Sequence, residues 1–155
     1  MSENDIEILL VEDNPADLEL AVVALRRNNL GNHLHVARDG VEALDFLFCR
    51  AAYTDRSFLH PPKLVLLDLK LPKVDGLEVL RTVKNDARTK AVPIVVLTSS
   101  REEQDLVKSY HLGVNSYVQK PVNYQEFRDA IKQLGLYWLV RNEAPPSAAF
   151  EASLP

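Results

Sequence analysis

The sequence predicts a doubly wound α/β domain with a five-stranded parallel sheet. Short apolar runs alternate with amphipathic segments along the chain, and this order implies parallel strands joined by right-handed crossovers. The first, third and fourth runs are uninterrupted, as expected for strands that helices cover on both faces. The predicted strands are 8–11, 34–37, 64–67, 93–97 and 116–119.

A segment with helical periodicity follows each strand. Apolar residues recur at spacings of three and four from 18 to 25, from 41 to 48 and from 77 to 83. A weaker and more charged helix is predicted at about 101 to 112. The last helix is predicted to run from Tyr124 to about Val140.

Two segments lie outside this alternation. Residues 50–62 make a long connection between the second helix and the third strand, and Pro61 followed by Pro62 cannot lie inside a helix. The C-terminal residues carry two further prolines and several small side chains, which predicts a loose tail. We therefore expect one domain at residues 6–142 and a flexible C-terminal tail at residues 143–155.

Composition narrows the classes of protein to consider. The formal net charge is -4, so the chain has no overall basic field that would hold nucleic acid. Cys49 is the single cysteine, which excludes an intrachain disulfide and fits a reducing compartment. The N-terminus has no signal-peptide pattern, and no apolar run approaches the ~18 residues that span a bilayer. We expect a cytoplasmic protein without direct contacts to nucleic acid or membrane.

Polar residues follow four of the predicted strands. Glu12 and Asp13 end the first strand, Asp68 ends the third, Thr98 the fourth and Lys120 the fifth. A parallel sheet gathers these strand ends at one edge, where ligands of doubly wound folds bind. Alone, each residue would be a helix cap or a solvated side chain. Together at one edge they indicate a shared site.

The residue types at this edge suit phosphoryl transfer. Crowded carboxylates repel one another unless a cation is present, and Mg²⁺ takes oxygen ligands. A transferring phosphoryl group needs a metal, an ammonium and a hydroxyl around its oxygens, and a carboxylate can serve as the nucleophile. Asp68 on the middle strand is best placed to attack, while Lys120 and Thr98 would bind separate phosphoryl oxygens.

Four sequence motifs surround these strand ends: VEDN at 11–14, LLDLKLPKVDG at 66–76, LTS at 97–99 and GVNSYVQKP at 113–121. With these motifs the sequence resembles the receiver domain of bacterial two-component response regulators. It is most similar to the cyanobacterial phytochrome (Rcp-type) response regulators, and the resemblance covers about residues 6 to 140. The resemblance implies the flavodoxin-like and CheY-like strand order 2-1-3-4-5.

The resemblance implies a role for each acidic residue of the edge. Asp68 corresponds to the phosphoacceptor of the family. Asp13 corresponds to the direct Mg²⁺ ligand, Glu12 to the outer and often water-mediated acid, and the backbone carbonyl of Lys70 to the third protein ligand. Mg²⁺ is therefore the expected cofactor.

The resemblance also implies the parts of a conformational switch. Thr98 matches the hydroxyl that moves toward the phosphoryl group, and Tyr117 matches the aromatic residue that turns inward with it. Lys120 matches the phosphoryl-binding lysine, and its bond to Pro121 is expected to be cis. Phosphorylation would alter the face formed by helix four, strand five and helix five.

A single-domain response regulator would accept its phosphoryl group from a sensor histidine kinase, and the resemblance implies a phytochrome. It would catalyse only its own Mg²⁺-dependent phosphorylation and dephosphorylation. Three alternatives are a phosphorelay intermediate, an unphosphorylated pseudo-receiver and a phosphatase with an aspartate nucleophile. The intact set of site residues disfavours a pseudo-receiver. The phosphatase would need a second carboxylate two residues after Asp68, where this sequence has Lys70.

The predicted last helix is apolar on two faces, which bears on oligomeric state. One face would pack on the sheet, and the other would need a cover. We favour a homodimer contact over burial beneath the long connection or the tail. The sheet-facing residues are predicted to be Phe127, Ile131, Leu134 and Trp138, and those off that face Leu136, Tyr137, Leu139 and Val140.

Overall fold

The computed structural model describes residues 7–30, 33–114 and 116–140. Its five strands form one all-parallel sheet in the order β2-β1-β3-β4-β5, so the predicted fold class and strand order are confirmed. Residue 6, at the predicted start of the domain, and the predicted tail at 143–155 lie outside the described residues. The strands are β1 (Glu7–Val11), β2 (His33–Ala37), β3 (Leu64–Asp68), β4 (Ile94–Thr98) and β5 (Tyr117–Gln119).

The helices are α1 (Pro15–Arg27), α2 (Gly40–Leu47), α3 (Gly76–Lys84), α4 (Arg101–Ser109), α5 (Tyr124–Gln133) and α6 (Tyr137–Val140). Each of α1 to α5 is preceded by a capping residue whose side-chain oxygen accepts a hydrogen bond from the backbone amide of the third helical residue. Such caps satisfy amides that have no partner within the helix. The capping residues are Asn14, Asp39, Asp75, Ser100 and Asn123.

The sheet is buried on both faces. Alternate residues of β1 point in opposite directions, so Ile8 and Leu10 join the core beneath α1, α5 and α6. Leu9 and Val11 join the second core, beneath α2, α3 and α4. All five residues of β3 and of β4 are buried, which explains their uninterrupted apolar runs.

The predicted last helix is wrong in its extent. Helix α5 ends at Gln133, and Gly135 adopts a positive φ of 75° before α6 begins. This break redirects the chain, so Leu139 and Val140 are buried in the same core as Ile131 rather than lying off the sheet. The side chain of Tyr137 is outside the described part. The predicted homodimer therefore loses the argument from a second apolar face, and it stays a prediction.

The long connection at 50–62 is anchored to the body of the domain. The guanidinium group of Arg56 donates two hydrogen bonds to the Glu7 carboxylate, at 2.7 and 2.8 Å, and its central carbon lies 3.6 Å from the ring centroid of Phe46. Tyr53, at the end of a short 3-10 turn, donates to Glu42 at 2.7 Å. The insertion is thus tied to the start of β1 and to α2. Across the described residues, no helix is long and apolar enough to cross a membrane.

Candidate functional site

The carboxyl ends of the parallel strands bring the chemically active side chains to one edge of the sheet. Glu12 and Asp13 follow β1, Asp68 ends β3 and Thr98 ends β4. Lys120 follows β5, and its amide donates to the Thr98 carbonyl at 2.7 Å. The structure places the Lys120 Nζ atom 3.2 Å from Asp68 Oδ2. The Lys120–Pro121 peptide bond is cis, as expected.

Gly76 allows α3 to begin against the strand that carries Asp68. A Cβ atom at this position would lie 2.2 Å from the Asp68 carbonyl oxygen and 2.4 Å from the Leu69 Cα atom. The Gly76 amide donates to the Leu69 carbonyl at 2.8 Å. Only glycine permits this approach, so the Asp75-Gly76 pair of the sequence motif fixes the backbone beside the candidate acceptor.

Three carboxylates form a cluster suited to a divalent cation. One oxygen from each of Glu12, Asp13 and Asp68 lies within 4.8 Å of the others. Glu12 and Asp68 are buried, whereas Asp13 is exposed at the mouth. Oxygen ligands that are partly buried and partly open suit an ion such as Mg²⁺, which retains several waters. The residues present therefore fit the predicted metal.

Glu12 is the most buried carboxylate of this cluster, and one of its oxygens lacks a hydrogen bond among the described residues. Its Oε2 atom accepts from the amides of Asp13 and Asn14 at 3.1 and 3.2 Å, but Oε1 is buried and has no hydrogen-bond partner among the residues that the structure describes. Burial, and then the neighbouring Asp68 carboxylate, raise the pKa of Glu12 to about 8. A cation beside Oε1 would offset the burial of this charge.

Lys70 contributes its backbone to the cluster and its side chain to α4. Its amide donates to Asp68 Oδ1 at 3.3 Å, and its Nζ atom lies 3.9 Å from Glu103 Oε2. Glu103 also accepts from the Ser99 amide and hydroxyl, at 3.0 and 2.9 Å. The loop after β3 and the start of α4 are thereby linked. The metal-ligand role of the Lys70 carbonyl stays a prediction.

Lys120 is surrounded by acids. Its Nζ atom lies 3.2 Å from Asp68 Oδ2, 3.3 Å from Asp17 Oδ2 and 3.6 Å from Glu12 Oε1. Burial alone lowers the pKa of Lys120, but the charges of Asp68 and Glu12 outweigh it, so this pKa is raised. The sequence analysis did not identify Asp17. Its signal was an acid four residues after Asp13, on the helix that leaves the site.

Thr98 and Tyr117 occupy different surroundings. The Thr98 side chain is fully buried, and its Oγ1 atom has no hydrogen-bond partner within the described ranges. Tyr117 is half-buried against the core beneath α2, α3 and α4, and its hydroxyl donates to the Val114 carbonyl at 3.4 Å. The Lys108 Nζ atom lies 5.4 Å from the centroid of its ring. Burial raises the pKa of the Tyr117 hydroxyl.

Comparison with known proteins gives a consistent picture. A family model described as the response regulator receiver domain matches residues 8–132. The solved structure of the bacteriophytochrome response regulator AtBRR is 57% identical, covers 86% of this chain and 96% of its own, and superposes with a TM-score of 0.80.

Two further relatives have curated descriptions. Response regulator Rcp1 of Synechocystis is 39% identical over 132 residues, covering 85% of this chain and 88% of Rcp1. The structure of its Mn²⁺-bound form superposes with a TM-score of 0.69 at 38% identity, covering 87% of this chain and 95% of that one. A protein of Methanothrix harundinacea named "Probable methanogenesis regulatory protein FilR2" is 41% identical over 147 residues, covering 95% of this chain and 92% of its own.

Proposed function

This chain belongs to the response regulator receiver domain family, and we propose that it is a single-domain phosphorylation switch of a two-component system with Asp68 as the phosphoacceptor. The observation that carries the proposal is the position of Asp68. It is a buried carboxylate on the middle strand, and the Lys120 Nζ atom lies 3.2 Å from it. Two further acids, Glu12 and Asp13, lie close enough to bind one metal ion together with Asp68.

The proposed reaction is an in-line transfer from a phosphohistidine. One Asp68 carboxylate oxygen attacks phosphorus, the P–N bond breaks, and its electron pair stays on the imidazole nitrogen. The product is an acyl phosphate on Asp68. The Lys120 ammonium would bind one phosphoryl oxygen, and hydrolysis of the acyl phosphate would reset the switch.

A divalent cation would be held by Glu12, Asp13, Asp68 and the Lys70 carbonyl, and it would neutralise charge on the transferring phosphoryl oxygens. The carboxylate cluster supports this assignment. The Mn²⁺-bound form of Rcp1 supports a divalent ion in a related protein. Mg²⁺ is proposed here as the resident metal.

The Thr98 hydroxyl, which has no partner in the described part of the chain, supports a conformational response. A phosphoryl oxygen at Asp68 would give this buried donor an acceptor, and movement of Thr98 would open space for Tyr117. The affected face would comprise α4, β5 and α5. The two states need differ by only a few kcal/mol for such a switch to operate.

The proposed partner is a sensor histidine kinase of the phytochrome class. The similarity to AtBRR, a bacteriophytochrome response regulator, supports this assignment. We further propose a cytoplasmic protein that catalyses only its own phosphorylation and dephosphorylation. A phosphorelay intermediate would accept the same phosphoryl group but pass it onward to a second histidine, so transfer to a histidine phosphotransfer protein would distinguish it.

The test is incubation with acetyl phosphate, with and without Mg²⁺, followed by intact mass measurement. The wild type should gain one phosphoryl group that is stable to acid and lost with hydroxylamine, only when Mg²⁺ is present. Asp68→Asn should gain none, whereas Asp105→Asn, which removes an exposed acid from α4, should behave as the wild type. No adduct on the wild type would contradict the proposal and would favour a pseudo-receiver.

A further inference from the structure

Three acids lie close to the Lys120 ammonium, and only two of them belong to the candidate metal site. Asp68 and Glu12 are buried and belong to the carboxylate cluster. Asp17 lies outside that cluster, yet its Oδ2 atom is 3.3 Å from Lys120 Nζ, almost as close as Asp68 Oδ2 at 3.2 Å. The function assigned to the site so far does not use Asp17.

The placement of Asp17 follows from the start of α1. Asn14 caps this helix by accepting the Asp17 amide at 3.0 Å, so Asp17 is the third helical residue. Its backbone is therefore fixed by the cap while its side chain reaches across to the end of β5. In the other four capped helices the third residue is a glutamate: Glu42, Glu78, Glu103 and Glu126.

The single positive charge of the Lys120 ammonium cannot neutralise the negative charges of all three carboxylates. Asp17 is 29% exposed and the Lys120 side chain 14% exposed, so their attraction is partly screened by solvent but not lost. In the unphosphorylated state Asp17 neutralises part of the charge of the Lys120 ammonium. This neutralisation reduces the repulsion between Lys120 and a cation among Glu12, Asp13 and Asp68.

We propose that Asp17 is a positioning residue that competes with the phosphoryl group for Lys120. The inference rests on the proposed phosphorylation of Asp68. Asp17 favours the cation-loaded, unphosphorylated site because its carboxylate neutralises part of the ammonium's charge beside the carboxylate cluster. Asp17 disfavours the phosphorylated site for two reasons. Lys120 must leave Asp17 to bind the phosphoryl oxygens, and the negative charge of Asp17 repels those oxygens.

Two equilibria of the same protein test this inference with opposite signs. Beryllium fluoride serves as the phosphoryl analogue, and its affinity is measured by calorimetry at saturating Mg²⁺. Mg²⁺ affinity is measured separately without it. Asp17→Asn should bind beryllium fluoride about two- to fivefold more tightly and Mg²⁺ about two- to fivefold more weakly than the wild type, the range expected for a partly screened ion pair.

Two control variants separate local competition from net charge and from folding. Glu19→Gln removes an exposed acid from the same helix and should leave both affinities unchanged. Asp17→Glu keeps the charge and should restore values near the wild type. The Asp17→Asn effects should also shrink at high salt, because a partly exposed pair is screened.

The outcomes are distinguishable. Unchanged or weaker beryllium fluoride binding by Asp17→Asn, with a normal wild type, would overturn the competition and leave the proposed function standing. Equal shifts in Glu19→Gln would also overturn it, since the effect would then be one of net charge. A wild type that binds no beryllium fluoride would overturn the proposed function, and this inference with it.

Discussion

At the scale of single residues, two buried threonines differ in whether their hydroxyls have partners. Thr89 donates to the Val83 carbonyl at 2.8 Å, whereas Thr98 Oγ1 has no partner among the described residues. A buried hydroxyl without a partner costs stability, and replacing it with an apolar group of the same shape removes that cost. We infer that Thr98 is a donor whose acceptor arrives only with phosphorylation.

Thr98→Val should therefore raise the free energy of unfolding by about 1 kcal/mol, while Thr89→Val should lower it by about 1 kcal/mol. Urea denaturation without phosphodonor measures both. Thr98→Val should also lose the spectral change that beryllium fluoride induces around Tyr117. A destabilised Thr98→Val would show that its hydroxyl has a native partner and would refute this explanation.

Glu12 predicts how metal affinity depends on pH. Because its pKa is about 8, the carboxyl binds a proton at lower pH, and a cation must displace that proton. Mg²⁺ affinity should rise as the pH increases from 6 to 8, by at most about tenfold per pH unit, and level off above 8. Titration by calorimetry measures this slope.

Glu12→Gln supplies the control for the pH dependence. This variant lacks the titrating carboxyl, so its Mg²⁺ affinity should be weaker and should change less between pH 6 and 8. An equal slope in wild type and variant would assign the displaced proton to another group.

At the scale of elements, the junction between β3 and α3 fixes the acceptor. Gly76→Ala would force a Cβ atom to within 2.2 Å of the Asp68 carbonyl oxygen, so the two elements must separate. We expect a loss of about 1–3 kcal/mol in unfolding free energy, as for overpacked sites, and slower phosphorylation by acetyl phosphate.

Gly113→Ala is the matched control for Gly76. Gly113 has a positive φ of 77°, but within the described part of the chain no atom lies within 4 Å of a Cβ position, so alanine there meets backbone strain alone. It should lose about 1–2 kcal/mol and keep its phosphorylation rate. Similar phosphorylation rates in the two variants would show that the close approach at Gly76 does not position Asp68.

The break between α5 and α6 shows where sequence periodicity is insufficient. Apolar residues continue at helical spacing across Gly135, so the pattern predicts one helix. The available signal was Gly135 itself, because glycine after a helix commonly takes the left-handed conformation that ends it. Which core then receives Leu139 depends on the tertiary path of the chain, which local spacing does not encode.

Leu139→Ala tests this burial. Leu139 is fully buried in the core beneath α1 and α5, so the variant should lose about 2–5 kcal/mol in unfolding free energy. Leu106→Ala, at a half-exposed position on α4, should change it by less than about 0.5 kcal/mol. If Leu139 instead lay in a dimer contact, its effect would grow with protein concentration.

At the scale of the whole molecule, the fold was predictable because both faces of the sheet are covered. That burial makes the central strands uninterrupted apolar runs, and the parallel arrangement then brings Glu12, Asp68, Thr98 and Lys120 to one edge. The contact between Asp17 and Lys120 joins α1 to the end of β5. It depends on how two elements dock, so the spacing of Asp17 from Asp13 places this acid near the site but could not reveal its partner.

The central claim is that this molecule carries a phosphoryl group on Asp68. The most direct measurement is treatment with acetyl phosphate and Mg²⁺, reduction with borohydride, and peptide mass spectrometry, since borohydride converts an aspartyl phosphate to homoserine. We expect homoserine at position 68, only in samples that received both phosphodonor and Mg²⁺. Homoserine at another acid, or none in wild-type protein, would contradict it.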